Sequence, residues 1–261
     1  MKEFFGVLKY EFGMATRRWG VMAIFGALGL FYLWAFMQPM PDDPVWSEMT
    51  NPELWKLAGQ MAFSINVFVP VVAGIAIADR MARDVRLGFE ELLRSTQLRR
   101  WPYVMGKYAG ALLSVALPAL LINTLVSLGC VIRGCSPWML VYSLPAFVLV
   151  TLPGLAFLSA FSLACPMVIP VRVYQVLFTG YWYWGNFLSP KVMPTLTETL
   201  LNAAGGYALE GFFSSGYIFL HEHLAHTAQE AVLNIAILLL CGAAALVTLE
   251  RYLAWKARRV Y

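Results

Sequence analysis

Residues 19–37 read WGVMAIFGALGLFYLWAFM, a run without a single charged side chain. At 1.5 Å per residue, a helix of that length covers about 30 Å, the thickness of a bilayer's hydrocarbon core. Further apolar runs of crossing length follow near 61–78, 104–132, 138–165, 173–189 and 230–249. Of the 261 residues, 60% are hydrophobic and 13% charged, against roughly 25% charged in a typical soluble domain. A water-soluble core does not need that much apolar surface, whereas a bilayer does. The expected fold class is all-α: a polytopic membrane protein with six transmembrane helices, built as a single transmembrane domain over 1–261. Aromatic residues, 15% of the chain, fall near the ends of the apolar runs, where amphipathic rings favour the membrane boundary.

Charge assigns the sides. With the N-terminus inside and six crossings, only Lys56, Arg133 and Lys191 among the 19 basic residues fall outside, a strong positive-inside bias. A seventh apolar stretch, Leu200 to Leu220, contains Glu210 and the glycines Gly205, Gly206 and Gly211. Counting it as a crossing would move Arg251, Lys256, Arg258 and Arg259 outside. It is therefore expected to be a re-entrant or interfacial hairpin within an extracytoplasmic segment, 190–229, its backbone shielded by protein. The expected location is the cell membrane, multi-pass, with N- and C-termini cytoplasmic. No small-residue cleavage site follows the first run, so a cleaved secretory signal is not expected there.

The net charge of +4 is spread over short flanks between apolar runs, so no nucleic acid partner is expected. Four cysteines do not make a disulfide framework in such a chain. Cys130 and Cys135 flank one outside end and suit either a disulfide or small apolar filler. Between the first two runs, Pro39, Pro41 and Pro44 impose an irregular start, after which Asn51-Pro52-Glu53 can open a short helix.

Two segments are amphipathic at 100° per residue. In 1–18, Phe4, Phe5, Leu8, Phe12 and Ala15, with Trp19 just beyond, share an arc of about 100°, and Lys2, Lys9 and Arg17 lie opposite. Glu11 and Arg18 fit that pattern less well. Such a helix lies along the membrane surface. In 79–101, Met81, Val85, Phe89, Leu92 and Thr96 share one face, while Arg80, Arg83, Asp84, Arg86, Glu90, Glu91 and Arg94 cover the rest. A face carrying both signs suits a protein partner, whose complementary charges fix register.

Asp79 to Thr96, followed by Arg99-Arg100-Trp101-Pro102-Tyr103-Val104-Met105-Gly106-Lys107-Tyr108, resembles the region after the second span of ABC-2 type permeases. There an acidic residue and a glycine precede E-x-L-L, then a polar stop, a basic pair and G-K-Y/F opening the third span. Glu90 or Glu91, Leu92-Leu93, Arg99-Arg100 and Gly106-Lys107 match. Lys9-Tyr10-Glu11 followed by Arg17-Arg18 resembles the family's opening interfacial helix. The resemblance implies an ATP-driven exporter of an amphipathic substrate (peptide, lipid-linked or drug-like), in which this chain is the permease. Its ATPase-coupling residues would be Asp79, Arg83, Asp84, Arg86, Gly88, Phe89, Glu90, Glu91, Leu92, Arg94, Arg99 and Arg100. ATP and Mg would sit on a separate ATPase subunit, because this chain has no G-x-x-x-x-G-K-[ST] loop. A second permease copy, or a homologous one, would complete the pathway.

Three other constellations stand out. Asn66, Asn123, Gln175, Tyr181, Trp182, Trp184 and Asn186 place polar groups and rings in apolar runs, as a substrate path would, although amides also bind neighbouring helices. His221, His223 and His226 sit at i, i+2 and i+5, which do not share a helical face; a loop can still gather them round a metal. A membrane-embedded enzyme or metal-handling protein using that cluster is the alternative function. Glu90-Glu91 with Arg94 resembles the E-E-x-x-x-R of intramembrane CAAX-type proteases, one residue short and on the opposite side from the histidines. Pro118, Pro145, Pro153, Pro166 and Pro170 predict kinks in or beside runs three to five.

Overall fold

The computed structural model describes residues 2–38, 46–88, 99–216 and 226–259. Among them every regular element is a helix. These are α1 (Lys2–Thr16), α2 (Trp19–Met37), α3 (Asn51–Ile65), α4 (Val69–Arg86), α5 (Arg100–Ile132), α6 (Trp138–Ala146), α7 (Leu152–Ala164), α8 (Val171–Phe187), α9 (Gly206–Phe213) and α10 (Ala228–Arg259). A π-helical turn, Phe147–Thr151, joins α6 to α7, so Trp138–Met167 runs as one helical rod.

Four helices are long and apolar enough to cross a bilayer: α2, α5, the Trp138–Met167 rod and α10. Their outer faces remain apolar. Leu30 and Trp34 on α2, Leu121 on α5 and Leu240 on α10 are all exposed, as lipid-facing residues would be.

The run 61–78, expected as one span, is two helices meeting at 42°. The cause is local. Pro70 has no N–H to give the carbonyl of Asn66, four residues back, and its ring crowds that carbonyl. A broken helix is tolerable in lipid only where its freed backbone groups find partners, and here they do. The Trp182 indole Nε1 donates to the Asn66 carbonyl at 3.0 Å. The Tyr32 hydroxyl reaches the carbonyls of Ser64 and Ile65 at 2.9 and 3.3 Å. α3 itself opens as expected at Asn51-Pro52-Glu53, where a capping box returns the Glu53 carboxylate to the Thr50 N–H at 2.7 Å.

α5 is 33 residues long, about 50 Å at 1.5 Å per residue, so it projects well past the hydrocarbon. α8 has 17 residues and reaches only about 25 Å. Between α8 and α9 the chain is irregular but not loose: Asn202, Ala203, Ala204 and Gly205 are buried against the α3–α4 break and the π-turn.

Candidate functional site

The largest concentration of buried charge lies where α1, α4 and α5 meet. Arg80 and Asp84 are one turn apart on α4, and Tyr103 and Lys107 one turn apart on α5, so each pair projects from a single face. Glu11 of α1 enters between them. Arg80 Nη1 binds Glu11 Oε1 at 2.8 Å, and Lys107 Nζ binds Glu11 Oε2 at 3.0 Å. Lys107 also pairs with Asp84, whose Oδ2 accepts from the Tyr103 hydroxyl at 2.8 Å. Arg80 Nη2 donates to Ser114 Oγ at 3.2 Å. Glu11, Arg80 and Lys107 are 2%, 2% and 1% exposed. Two anions and two cations leave no net charge, the condition under which such a group can be buried without an isolated ion.

The approach of α1 depends on Gly106 and Gly110, one turn apart on α5. A Cβ on Gly106 would stand 2.9 Å from the Phe4 carbonyl, and one on Gly110 2.9 Å from the Leu8 carbonyl. α1 therefore lies backbone-close on α5, and the face it buries is centred on Glu11 and Ala15, at one edge of its apolar stripe. Phe5 and Trp19, at 59% and 86% exposure, are left outward, where a membrane surface would receive them. Glu11 was the misfit of the sequence pattern. That misfit was the available signal for the cluster, which sequence reasoning otherwise missed, together with Arg80, Tyr103 and Lys107.

The expected coupling helix, 79–101, is described only at its two ends, 79–88 and 99–101. α4 ends at Arg86, Leu87 caps it, and Gly88 turns the chain out with φ +73°; α5 restarts at Arg100 with Arg99 as its cap. Asp79 pairs with Arg86 at 2.7 Å on the exposed side. Arg83 Nη2 meets Met14 Sδ of α1 at 3.1 Å, and the Arg99 N–H faces Glu3 Oε2 at 3.5 Å. Both ends of the intervening segment thus rest on α1. Phe89, Glu90, Glu91, Leu92 and Arg94 lie outside the described residues.

The residues expected along a substrate path separate into two groups. Asn66, Trp182 and Asn186 are sealed in the interior as a bracing network. Asn66 Nδ2 donates to the Val150 and Ala204 carbonyls at 3.2 and 2.7 Å, and Asn186 Oδ1 accepts from the Ala203 N–H at 2.6 Å. Asn123, also buried, donates to the Ser143 carbonyl at 3.0 Å. On α8, Gln175 and Tyr181 are instead half-buried and Trp184 is exposed. Gln175 donates to the Ile75 carbonyl at 3.2 Å and borders a cavity of about 680 Å³. Tyr181 borders an apolar groove of about 340 Å³.

His226 stacks on Tyr207 with ring centres 3.8 Å apart, its nitrogens 3.9 Å from carboxylates of Glu210 and Glu230. Its backbone N–H donates to Glu210 Oε2 at 3.2 Å, so Glu210 is buried against the start of α10. His221 and His223 lie outside the described residues. Cys130 and Cys135 are both buried and are not joined in a disulfide. Burial pushes the Cys135 thiol above its ordinary pKa, so it stays protonated and unreactive.

No protein-family model, curated protein or solved structure matches the chain. Fold and site define the class: an all-helical protein with four helices of membrane-crossing length, compatible with a multi-pass membrane protein.

Proposed function

We propose that the chain is the permease subunit of an ABC-2 type exporter, moving an amphipathic substrate (peptide, lipid-linked or drug-like) across the cell membrane on the power of a separate ATPase. Six crossings follow if the bent α3–α4 pair and the short α8 are counted with the four long helices, leaving both termini cytoplasmic and 190–229 outside. The carrying observation is the way α1 is fastened. A segment bearing Glu90, Glu91 and Arg94 leaves α4 beside the Glu11–Arg80–Lys107–Asp84 cluster and re-enters α5 beside Glu3. Its two roots are therefore fixed to one stiff unit of three helices. A motor subunit docked on that segment would move α1, α4 and α5 together, which is what transmission of a power stroke across a membrane requires. ATP and Mg would be held by that partner, and a second permease copy or a homologous permease would close the pathway.

Replacing Glu90 and Glu91 together with Lys should abolish recovery of an ATPase with the detergent-extracted chain, while the amount of folded chain is unchanged. Undiminished recovery of the ATPase would refute the docking role and the transporter reading with it.

A further inference from the structure

α7 and α8 leave a common turn, Cys165–Pro170, and both pack on α4, meeting each other at the Ser162 and Tyr174 hydroxyls, 2.9 Å apart. Two recesses flank that turn and the first half of α8. One is the cavity of about 680 Å³ between the end of α4, the start of α8 and the end of α10. Three cations, Arg86, Arg172 and Lys256, line it with a single carboxylate, Asp79. Asp79 is taken by Arg86; neither Arg172 nor Lys256 makes an ion pair among the described residues. The recess is thus left with a net excess of positive charge, beside the first turn of α8 and its dipole-positive end. The other recess is the groove of about 340 Å³ between α7 and α8, walled by Phe157, Phe161, Ile169, Leu177 and Tyr181 and almost wholly apolar. On α8, Val171 and Gln175 face the first recess, while Tyr174, Leu177, Phe178 and Tyr181 face the second. The two therefore open on adjoining faces of one helix, with the apolar one running further along it.

We infer that this pair of recesses is a binding site for one anionic phospholipid, its phosphate held by Arg172, Lys256 and the free donors of Arg86, and an acyl chain lying in the groove along α8. Guanidinium and ammonium groups at a helix end, open to the lipid boundary, recognise a phosphate by charge-assisted hydrogen bonds. The apolar groove adds the preference for a chain-bearing ligand over a free anion. A zwitterionic lipid supplies the same phosphate with a choline that the three cations repel. The inference rests on immersion in a membrane and not on the transporter reading.

The full chain in nanodiscs of equal phosphatidylcholine and phosphatidylglycerol, released for native mass spectrometry, should retain one phosphatidylglycerol in at least about tenfold preference. Arg172→Gln with Lys256→Gln should remove that preference. In a second measurement, Leu177→Trp places a fluorophore in the groove, and its emission, less the wild-type signal, should be quenched more by dibrominated phosphatidylglycerol than by dibrominated phosphatidylcholine. Equal retention of both lipids, a preference that survives the double substitution, or equal quenching would each overturn the site. Displacement of bound phosphatidylglycerol by millimolar inorganic phosphate would also overturn it, assigning the cations to a free anion.

Discussion

Lys107 of α5 and Glu11 of α1 are 96 residues apart in sequence and 3.0 Å apart in space, both closed off from solvent. Removing one partner leaves the buried cluster with an unbalanced charge. Lys107→Met or Glu11→Leu alone should each cost about 3–5 kcal/mol. The double variant leaves Arg80 facing Asp84 and keeps the cluster neutral. It should cost less than the sum of the singles by about 0.5–3 kcal/mol. Unfolding of the purified chain in one fixed detergent measures all four members of that cycle. Simple additivity would show that the two residues do not act as a pair.

Asn66 carries a different kind of load. Its side-chain amide is the donor for two buried carbonyls, those of Val150 and Ala204, while its own carbonyl is held by Trp182. Asn66→Ala should strand both acceptors, at about 1–3 kcal/mol each. Trp182→Phe keeps the ring and loses one donor, so it should cost less. Hydrogen exchange over 200–206 is the discriminating readout: Asn66→Ala should speed it several-fold, and unchanged protection would mean that the loop is pinned by something else.

How far sequence reached depends on the range of the interaction. Residues 19–37 and 104–132 announce themselves because hydropathy is a local sum, and both appear as parts of α2 and α5. The opening of α3 at Asn51 was legible because Asn51-Pro52-Glu53 carries a helix-start signal within three adjacent residues. The break at Asn66 was not, although Pro70 stood four positions away. Hydropathy is blind to a lost hydrogen bond, and the groups that make the break tolerable, Tyr32 and Trp182, lie far along the chain. For the same reason Asn66, Trp182 and Asn186 looked like a polar path when read one run at a time, and become mutual braces once packed. Glu11 is intermediate: its misfit on α1 was visible, but Arg80 and Lys107 could not be named without the fold.

Gly205 sits in the left-handed region with φ +87°, and a Cβ there would lie 2.4 Å from the Val150 carbonyl. Backbone strain of about 1–2 kcal/mol is thus joined by a collision with a backbone atom that cannot swing aside. Gly205→Ala should lower the melting temperature clearly. Gly180→Ala on α8, with open space around it, should be neutral or stabilising by up to about 1 kcal/mol. Equal effects at the two sites would mean that the 202–205 loop is not seated against the π-turn.

The six-crossing arrangement makes a prediction about sides that the helices themselves sharpen. Val168 precedes α8 and Val192 follows it, both about 74% exposed, and Leu87 at the end of α4 is 77% exposed. α8 separates the first two by about 25 Å, barely the depth of the hydrocarbon. It therefore either crosses a thinned bilayer with both ends at the surface, or lies along one side. In a background with the four cysteines replaced, single cysteines at 87, 168 and 192 distinguish these cases with a membrane-impermeant maleimide. On intact cells Val192→Cys should label, while Leu87→Cys and Val168→Cys label only after permeabilisation. Labelling of 168 and 192 from the same side would remove α8 as a crossing and reverse every assignment that follows it, including the cytoplasmic end of α10. Labelling of Leu87→Cys on intact cells would be more damaging, because no cytoplasmic motor could then reach the segment that follows it.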